Sequence, residues 1–303
     1  MSNIKVVLSL LAFVMCIGRA SYADPGILLL AHGGAAEWNA RVADLAARVD
    51  MRRPTEVAFG MAARASIQAA VDRLVARGVT EIVAVPLFVS SWSSVITSTE
   101  YLLGLRAEAP PALAAYARMN HAPSASDAAA GNHDGHGTTD GATPVRSPVP
   151  IHMTRALNDH PIVAAILTSR ALSISHEPAT EALVIIAHGP NEDEDNRKWL
   201  ADLASLAGRI RGGQRFASID YLTLRDDAPK PVRDQATAAL RDVVMKRSRS
   251  GRRVLIVPLL ISFGGIDRGV RDRLEGLTYA MPDSGLVPDD RLVTWVLEMA
   301  GAR

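Results

Sequence analysis

The sequence has 303 residues, of which 48% are hydrophobic and 21% are charged. This length and composition favour a globular protein of about two domains and exclude a chain too polar to bury a core. The 33 basic and 32 acidic residues nearly cancel, so no one-sided basic field favours nucleic acid as a partner.

The first 23 residues have the composition of a secretory signal peptide. Lys5 precedes an apolar run over 6–17, and Ser21-Tyr22-Ala23 places small residues at the cleavage site. The run is shorter than the ~20 residues that a membrane-spanning helix needs. We therefore expect removal of 1–23, a periplasmic or secreted protein, and no stable membrane insertion after cleavage. An uncleaved anchor is the alternative.

Cysteine chemistry is absent from the expected mature chain. Cys16 is the only cysteine and lies inside the signal segment. The exported chain then has no thiolate nucleophile and no sulfur ligand. Any metal would be held by histidine, carboxylate or backbone oxygen.

The first half alternates short apolar runs with amphipathic stretches. Such strands, buried on both faces and alternating with helices, indicate a parallel sheet covered on both sides. In chain order, the pattern predicts strand 26–31, helix 37–50, strand 56–60, helix 64–77, strand 81–85, helix 94–108, strand 151–153 and helix 161–172.

Residues 121–150 interrupt this alternation. The segment is rich in Gly, Ser, Thr, Asp and Pro and has too few large apolar side chains to offset the entropy of ordering, so we expect a mobile insertion. It contains His121, His133, Asp134 and His136. Short histidine-containing tracts can bind metal, and a solvated linker is the alternative.

The second half repeats the first. The recurring features, each with its counterpart, are Ala31-His32-Gly33 with Ala187-His188-Gly189, Ala43-Asp44-Leu45-Ala46 with Ala201-Asp202-Leu203-Ala204, and Val85-Pro86-Leu87 with Val257-Pro258-Leu259. Three matches in the same order indicate a duplication. We expect an α/β protein with a first domain over 24–175 and a second over 176–303.

The predicted elements of the second half follow the same alternation. They are strand 183–187, helix 195–210, strand 216–221, helix 231–247, strand 253–257 and helix 267–278.

His32 and His188 end the first predicted strand of each half. In open parallel sheets, ligands bind outside the carboxyl ends of the strands. Neutral imidazole binds divalent first-row metals and also moves protons near neutral pH. Both histidines are therefore candidate catalytic and metal-ligating residues. The alternative is that each satisfies a loop carbonyl and supports a turn.

These motifs, repeated in both halves, resemble the sirohydrochlorin cobaltochelatases of the CbiX type, which are class II chelatases, in their long tandem form. The resemblance covers most of residues 26–300. It implies two chelatase-like lobes with a cleft between them, and insertion of a divalent metal into a planar tetrapyrrole with release of two protons. It also implies cobalt as the substrate metal, with nickel or iron as alternatives, a sirohydrochlorin-like tetrapyrrole, and no organic cofactor.

The sequence departs from this family at one position in each half. The resemblance maps the family's first histidine onto His32 and His188, but its second histidine is replaced by Ser94 and Ile266. One histidine can hold the metal or accept pyrrole protons, but hardly both at once. Two hypotheses therefore stay open: a chelatase, and a non-catalytic exported protein that binds metal or tetrapyrrole.

Four other polar features near these strand ends are weaker candidates. They are Glu100, the acidic segment 191–195, Asp267 and Arg268. Arg268 suits a substrate carboxylate, and the acidic segment suits a cation. Their ordinary alternatives are a solvated helix charge, a helix start and a helix cap. No motif predicts an oligomeric state.

Overall fold

The computed structural model describes residues 25–121 and 139–301. The predicted signal peptide over 1–23, and His133, Asp134 and His136 of the predicted insertion, lie outside these ranges. Among the helices of the described ranges, none is long and apolar enough to cross a membrane.

The strands of the described residues form two parallel sheets. One has the order β2-β1-β3-β4 and the other β6-β5-β7, so β1 and β5 are interior strands. The strands are β1 (Gly26–Ala31), β2 (Thr55–Phe59), β3 (Ile82–Leu87), β4 (Ile151–Met153), β5 (Glu181–Ala187), β6 (Ser218–Thr223) and β7 (Arg253–Leu259).

Helices cover both faces of each sheet. They are α1 (Ala36–Asp50), α2 (Arg64–Ala76), α3 (Ser94–Leu102), α4 (Leu113–His121), α5 (Pro161–Ile174), α6 (Asp193–Gly213), α7 (Lys230–Arg249), α8 (Ile266–Arg273) and α9 (Arg291–Gly301). The predicted α/β class, with two parallel sheets flanked by helices, is confirmed.

Helices α3 and α8 end several residues earlier than the sequence predicts. Directly after the C-cap of α3, Gly104 takes a φ of 75° and donates its N–H to the carbonyl of Tyr101. A left-handed glycine at this position stops a helix. After α8, Gly276 also has a positive φ, but it lies two residues beyond the C-cap Leu274. The sequence analysis also missed α4 and α9.

Each interior strand is buried along its whole length. The buried residues of β1 and β5 are apolar except for Glu181, a buried carboxylate at the start of β5. Burial alone would raise its pKa, but hydrogen bonds from the Ser175 hydroxyl, the His176 N–H and the Arg253 guanidinium lower it. The charge is therefore compensated inside the fold.

The second sheet has no full counterpart of β4. A single parallel bridge between Leu255 and Ala280 takes its place. Ala280 N–H donates to Val254 O, and Ile256 N–H donates to Ala280 O. In the second half, a single bridged residue thus lies where β4 lies in the first sheet.

The two sheets share one hydrophobic core. One face of each sheet contributes to it, together with α1, α5, α6 and α9. Helix α9 belongs to the second half but packs on β3 and α1, and α5 belongs to the first half but packs on β7 and α6. The last helix of each half therefore crosses to the other sheet.

The end of the predicted insertion packs on the first lobe. Val145 N–H donates to Leu102 O, and Arg146 N–H donates to the side-chain oxygen of Gln68. Val145 and Val149 contact the outer core of the first sheet. These contacts fix the approach of the chain to β4.

Replacing Trp295 tests whether the core is shared. Trp295 lies in α9 and is fully buried, so Trp295→Ala should lower the free energy of unfolding by ~3–5 kcal/mol. Because α9 packs on β3 and α1, hydrogen exchange should accelerate in the first sheet as well as in the second half.

Urea unfolding and hydrogen–deuterium exchange measure these two effects. Leu105→Ala, at a half-exposed leucine, is the control and should change stability by no more than about 0.5 kcal/mol. Faster exchange confined to the second half would contradict a shared core.

Candidate functional site

His32 is exposed directly after β1, with one ring nitrogen committed. Its Nδ1 lies 2.7 Å from the carbonyl oxygen of Gly33. A carbonyl oxygen can only accept, so Nδ1 carries a proton, and in the neutral imidazole Nε2 keeps its lone pair. Gly33 has a φ of 78°, a conformation that glycine adopts without strain. The turn thus presents an imidazole able to bind a metal or accept a proton.

His188 follows β5 in the same way but has a carboxylate partner. Its Nε2 lies 3.4 Å from Oδ2 of Asp227, an exposed residue in the loop after β6. The pairing β5–β6 brings the two together. Sequence analysis missed Asp227, because an aspartate in a loop carries no spacing signal without the strand order.

Arg225 builds the loop that carries Asp227. It is buried, with a φ of 55°, and its N–H donates to His188 O over 2.7 Å. Its guanidinium donates to the carbonyls of Pro190 and Asn191 and to the carboxylate of Asp193. The acidic segment predicted as a cation site is therefore tied to the scaffold by an arginine.

The neighbouring aspartate has a different partner. Asp226 pairs with Arg273 of α8, and both side chains are mostly buried. Asp227 is consequently the aspartate of this loop that faces His188. A cavity of about 1180 Å³ opens beside the pair, lined by the 191–195 segment and by charges of both signs, including Arg197, Lys230 and Arg233.

The positions of the replaced histidines both begin a helix. Ser94 is the first residue of α3, and Ile266 is the first residue of α8. The Ser94 hydroxyl lies 2.7 Å from the Tyr116 hydroxyl. Asp267, the second residue of α8, accepts the Gly264 N–H over 2.8 Å. The carboxylate therefore stabilises the chain that leads into the helix.

Glu100 and Arg268, the other candidate residues, are not among the partners of His32 and His188 described above. Glu100 is half-buried within α3, and Arg268 is exposed on α8. The side chain of His121 lies outside the described part. Across the described residues, no three or more histidine, cysteine or acidic side chains gather into a group able to hold a metal ion.

The carboxyl ends of both sheets open on the same side of the molecule. Helix α1, which follows His32, contacts the loop after β7, where Arg41 Nη1 donates to Ser262 Oγ over 2.9 Å. Helix α6, which follows His188, contacts the loop after β3, where Trp199 Nε1 donates to Trp92 O over 2.7 Å. The two histidines therefore lie on one side of the protein.

A half-buried carboxylate holds this seam between the lobes. Trp92 Nε1 and Asn158 Nδ2 both donate to Oδ2 of Asp202, over 3.2 and 2.8 Å. Burial raises the pKa of Asp202; the hydrogen bonds from Asn158 and Trp92 oppose the shift, while the charge of Asp159 adds to it. In the sequence, Asp202 stands out only as part of the repeated Ala-Asp-Leu-Ala motif.

Comparison with known proteins finds a family similarity for the first lobe. Residues 26–174, just under half of the chain, match the CbiX family model. The first lobe is thus similar to the CbiX family. The matched range begins at β1 and ends at the last residue of α5. No relative was found among the curated proteins.

Solved structures extend the similarity over both lobes. SirB from Bacillus subtilis with Fe³⁺ is 15% identical, with a TM-score of 0.58, over 91% of this chain and 96% of that chain. CbiX, described as the terminal enzyme of siroheme biosynthesis in denitrifying bacteria, is 15% identical, with a TM-score of 0.52, over 91% and 98%. At such identities the likeness shows the chelatase-like fold alone.

A third structure is longer than this protein. DR2241 from Deinococcus radiodurans, described as a multi-domain protein with structural similarity to chelatases, is 19% identical, with a TM-score of 0.53. The match covers 92% of this chain but only 55% of DR2241. This chain thus spans about half the length of DR2241.

Substituting the glycines after the two histidines should have unequal effects. Gly33 and Gly189 share a φ of 78°, so Gly→Ala at either costs roughly 1–2 kcal/mol in backbone strain. A Cβ at Gly189 would lie 2.6 Å from Thr223 Cβ, whereas the nearest atoms at Gly33 are 3.5 Å away. Gly189→Ala should therefore lower the free energy of unfolding by a further ~1–3 kcal/mol. Urea unfolding of both variants measures the difference, and equal losses would contradict the described packing.

Asp202→Asn should change how stability depends on pH. A raised folded-state pKa means that the folded protein binds the proton more tightly. The free energy of unfolding therefore falls as pH rises from the unfolded-state value, about 3.9, through the folded-state pKa. An asparagine oxygen can accept both hydrogen bonds without this charge, so the variant should gain stability relative to wild type as the pH rises above about 4.

Urea unfolding across that range makes the comparison. Asp44→Asn, at the exposed equivalent position of α1, is the matched control and should track wild type. A constant difference between Asp202→Asn and wild type at every pH would rule out the buried-charge explanation.

Proposed function

We propose that this protein inserts a divalent metal ion, with Co²⁺ as the first choice and nickel or iron as alternatives, into a sirohydrochlorin-like tetrapyrrole. The observation that carries the proposal is the pair of histidines at the carboxyl ends of β1 and β5, open on the same side. The match of residues 26–174 to the CbiX family and the chelatase-like fold support it. The reaction belongs to the lyase-type metal chelatases.

His32 suits the proton-accepting half of the reaction. A divalent ion replaces two pyrrole protons, so the protein must accept protons while the metal enters the ring. In the neutral imidazole of His32, Nε2 has a free lone pair because Nδ1 donates to Gly33 O. It can take a proton from a pyrrole N–H that approaches the exposed face.

His188 and Asp227 suit the metal-holding half. Imidazole nitrogen and carboxylate oxygen are both ligands of divalent first-row ions, and these two groups already lie 3.4 Å apart. A substrate metal must also leave, so two protein ligands with water in the other positions favour transfer over storage. Dividing the tasks between two lobes compensates for the serine and isoleucine at positions 94 and 266.

We also propose that the reaction takes place outside the cytoplasm. The support is the composition of residues 1–23, with a basic start, an apolar run and small residues at a cleavage site.

A binding protein is the second candidate. It is favoured by the lack, within the described residues, of any group of three or more potential metal ligands. In that case the same histidines would bind metal or tetrapyrrole without joining them.

Metal insertion can be followed directly by the absorbance of sirohydrochlorin mixed with Co²⁺ and purified protein covering residues 24–303. We expect insertion above the protein-free rate. His32→Ala should reduce that acceleration ~10²-fold or more, because a positioned base contributes about 10²–10⁴-fold. His188→Ala and Asp227→Asn should raise the Co²⁺ concentration needed for half-maximal rate, by ~10-fold for Asp227→Asn.

His176→Ala, at an exposed histidine between the lobes, is the control and should retain the wild-type rate. A rate equal to the protein-free control, with saturable binding of metal or tetrapyrrole, would reject catalysis and establish the binding protein. Full activity in His32→Ala would reject the assigned base.

A further inference from the structure

We propose that Arg155, held over the ring of Trp92 at the end of β4, binds a peripheral carboxylate of the tetrapyrrole. This inference rests on the proposed function and names a substrate-binding residue for it. Its basis is a fixed aromatic ring, an uncommitted guanidinium, and their position relative to His32.

Trp92 is fixed in place by contacts from the second lobe. Its indole N–H donates to Asp202, and its carbonyl accepts the indole N–H of Trp199. The loop is closed on the other side, where Ser91 Oγ donates to Asn158 Oδ1 over 2.7 Å. The ring therefore has little freedom to turn and can serve as a rigid support.

Two cations lie over this ring, but only one has carboxylate partners. Lys198 Nζ is 5.1 Å from the ring centroid and pairs with Glu194 and Asp195. The Arg155 guanidinium carbon is 5.8 Å from the centroid. Arg155 is exposed, and no carboxylate of the described residues lies within 4.0 Å of it. It interacts with Asp202 only through charge.

The chemistry of this arrangement favours an anion with two oxygens. Stacking over an aromatic ring orients a guanidinium without occupying its N–H groups. The free edge can then donate two parallel hydrogen bonds to one carboxylate. A flat conjugated acid also gains contact with the exposed part of the indole.

The position of Arg155 fits a large ring centred near His32. Strand β3 separates β1 from β4, so these two strands lie two strand spacings apart across the sheet, roughly 10 Å. Strand β4 itself ends opposite Ala84, whereas β1 ends opposite Leu87. The chain after Arg155 continues alongside β3, because Leu157 N–H donates to Phe88 O. It therefore reaches the level at which β1 ends, where Ala31 pairs with Leu87. His32 can thus lie near the centre of the tetrapyrrole while Arg155 binds a carboxylate at its edge.

Binding of uroporphyrin, a tetrapyrrole with carboxylates around its rim, tests the inference without any metal. Its fluorescence anisotropy is titrated with wild type, Arg155→Ala, Arg155→Lys and Arg211→Ala. Arg155→Ala should weaken binding ~10–100-fold, as expected for loss of a charge-assisted pair. The affinity of Arg155→Lys should lie between those of wild type and Arg155→Ala, because lysine keeps the charge but cannot donate two parallel hydrogen bonds. Arg211→Ala, at an exposed arginine in the last turn of α6, should bind like wild type.

A second readout separates this inference from the proposed function. In the Co²⁺ insertion assay, Arg155→Ala should raise KM for sirohydrochlorin and leave kcat within about twofold, because the contact is remote from the reacting nitrogens. Wild-type affinity in Arg155→Ala would overturn the role of Arg155 while leaving the proposed function intact. No binding of either tetrapyrrole by wild type would overturn both.

Discussion

The exchange of the two last helices is the constraint on which the rest of the structure depends. Because α9 packs on β3 and α5 packs on β7, neither sheet completes its inner face with helices of its own half. The inner faces of the two sheets therefore share one hydrophobic core, while each outer face has a separate cluster of its own. Burial of that core fixes the relative orientation of the sheets, and with it the side on which both sets of strand ends open.

The polar contacts at the seam refine that orientation instead of creating it. Asp202 receives two hydrogen bonds on a single oxygen, from Trp92 and Asn158, and its burial disfavours the charge. Such a group adds specificity to a contact that apolar packing already stabilises. The same contact makes Trp92 rigid, so one interaction at the seam both locates the loop after β3 and supplies the platform beneath Arg155.

The lobes have diverged in how they present the shared histidine. In the first, His32 hydrogen-bonds to its own turn and leaves Nε2 free. In the second, His188 faces a carboxylate from the next loop, and a buried arginine shapes that loop. Equivalent strand ends thus carry two different local chemistries, which is consistent with a reaction that needs a base and a metal ligand.

The sequence by itself determined the strands of the described residues, and their helices apart from α4 and α9, in the right order. Apolar runs, amphipathic helices and the repeated Ala-His-Gly are local patterns that need only neighbouring residues. It also located His32 and His188 at strand ends. Only the tertiary structure decided the helix exchange, the partnership of Asp227 with His188, and the meeting of Trp92 with Asp202. These contacts join residues far apart in the chain, and their existence depends on strand order and packing, which local periodicity does not encode.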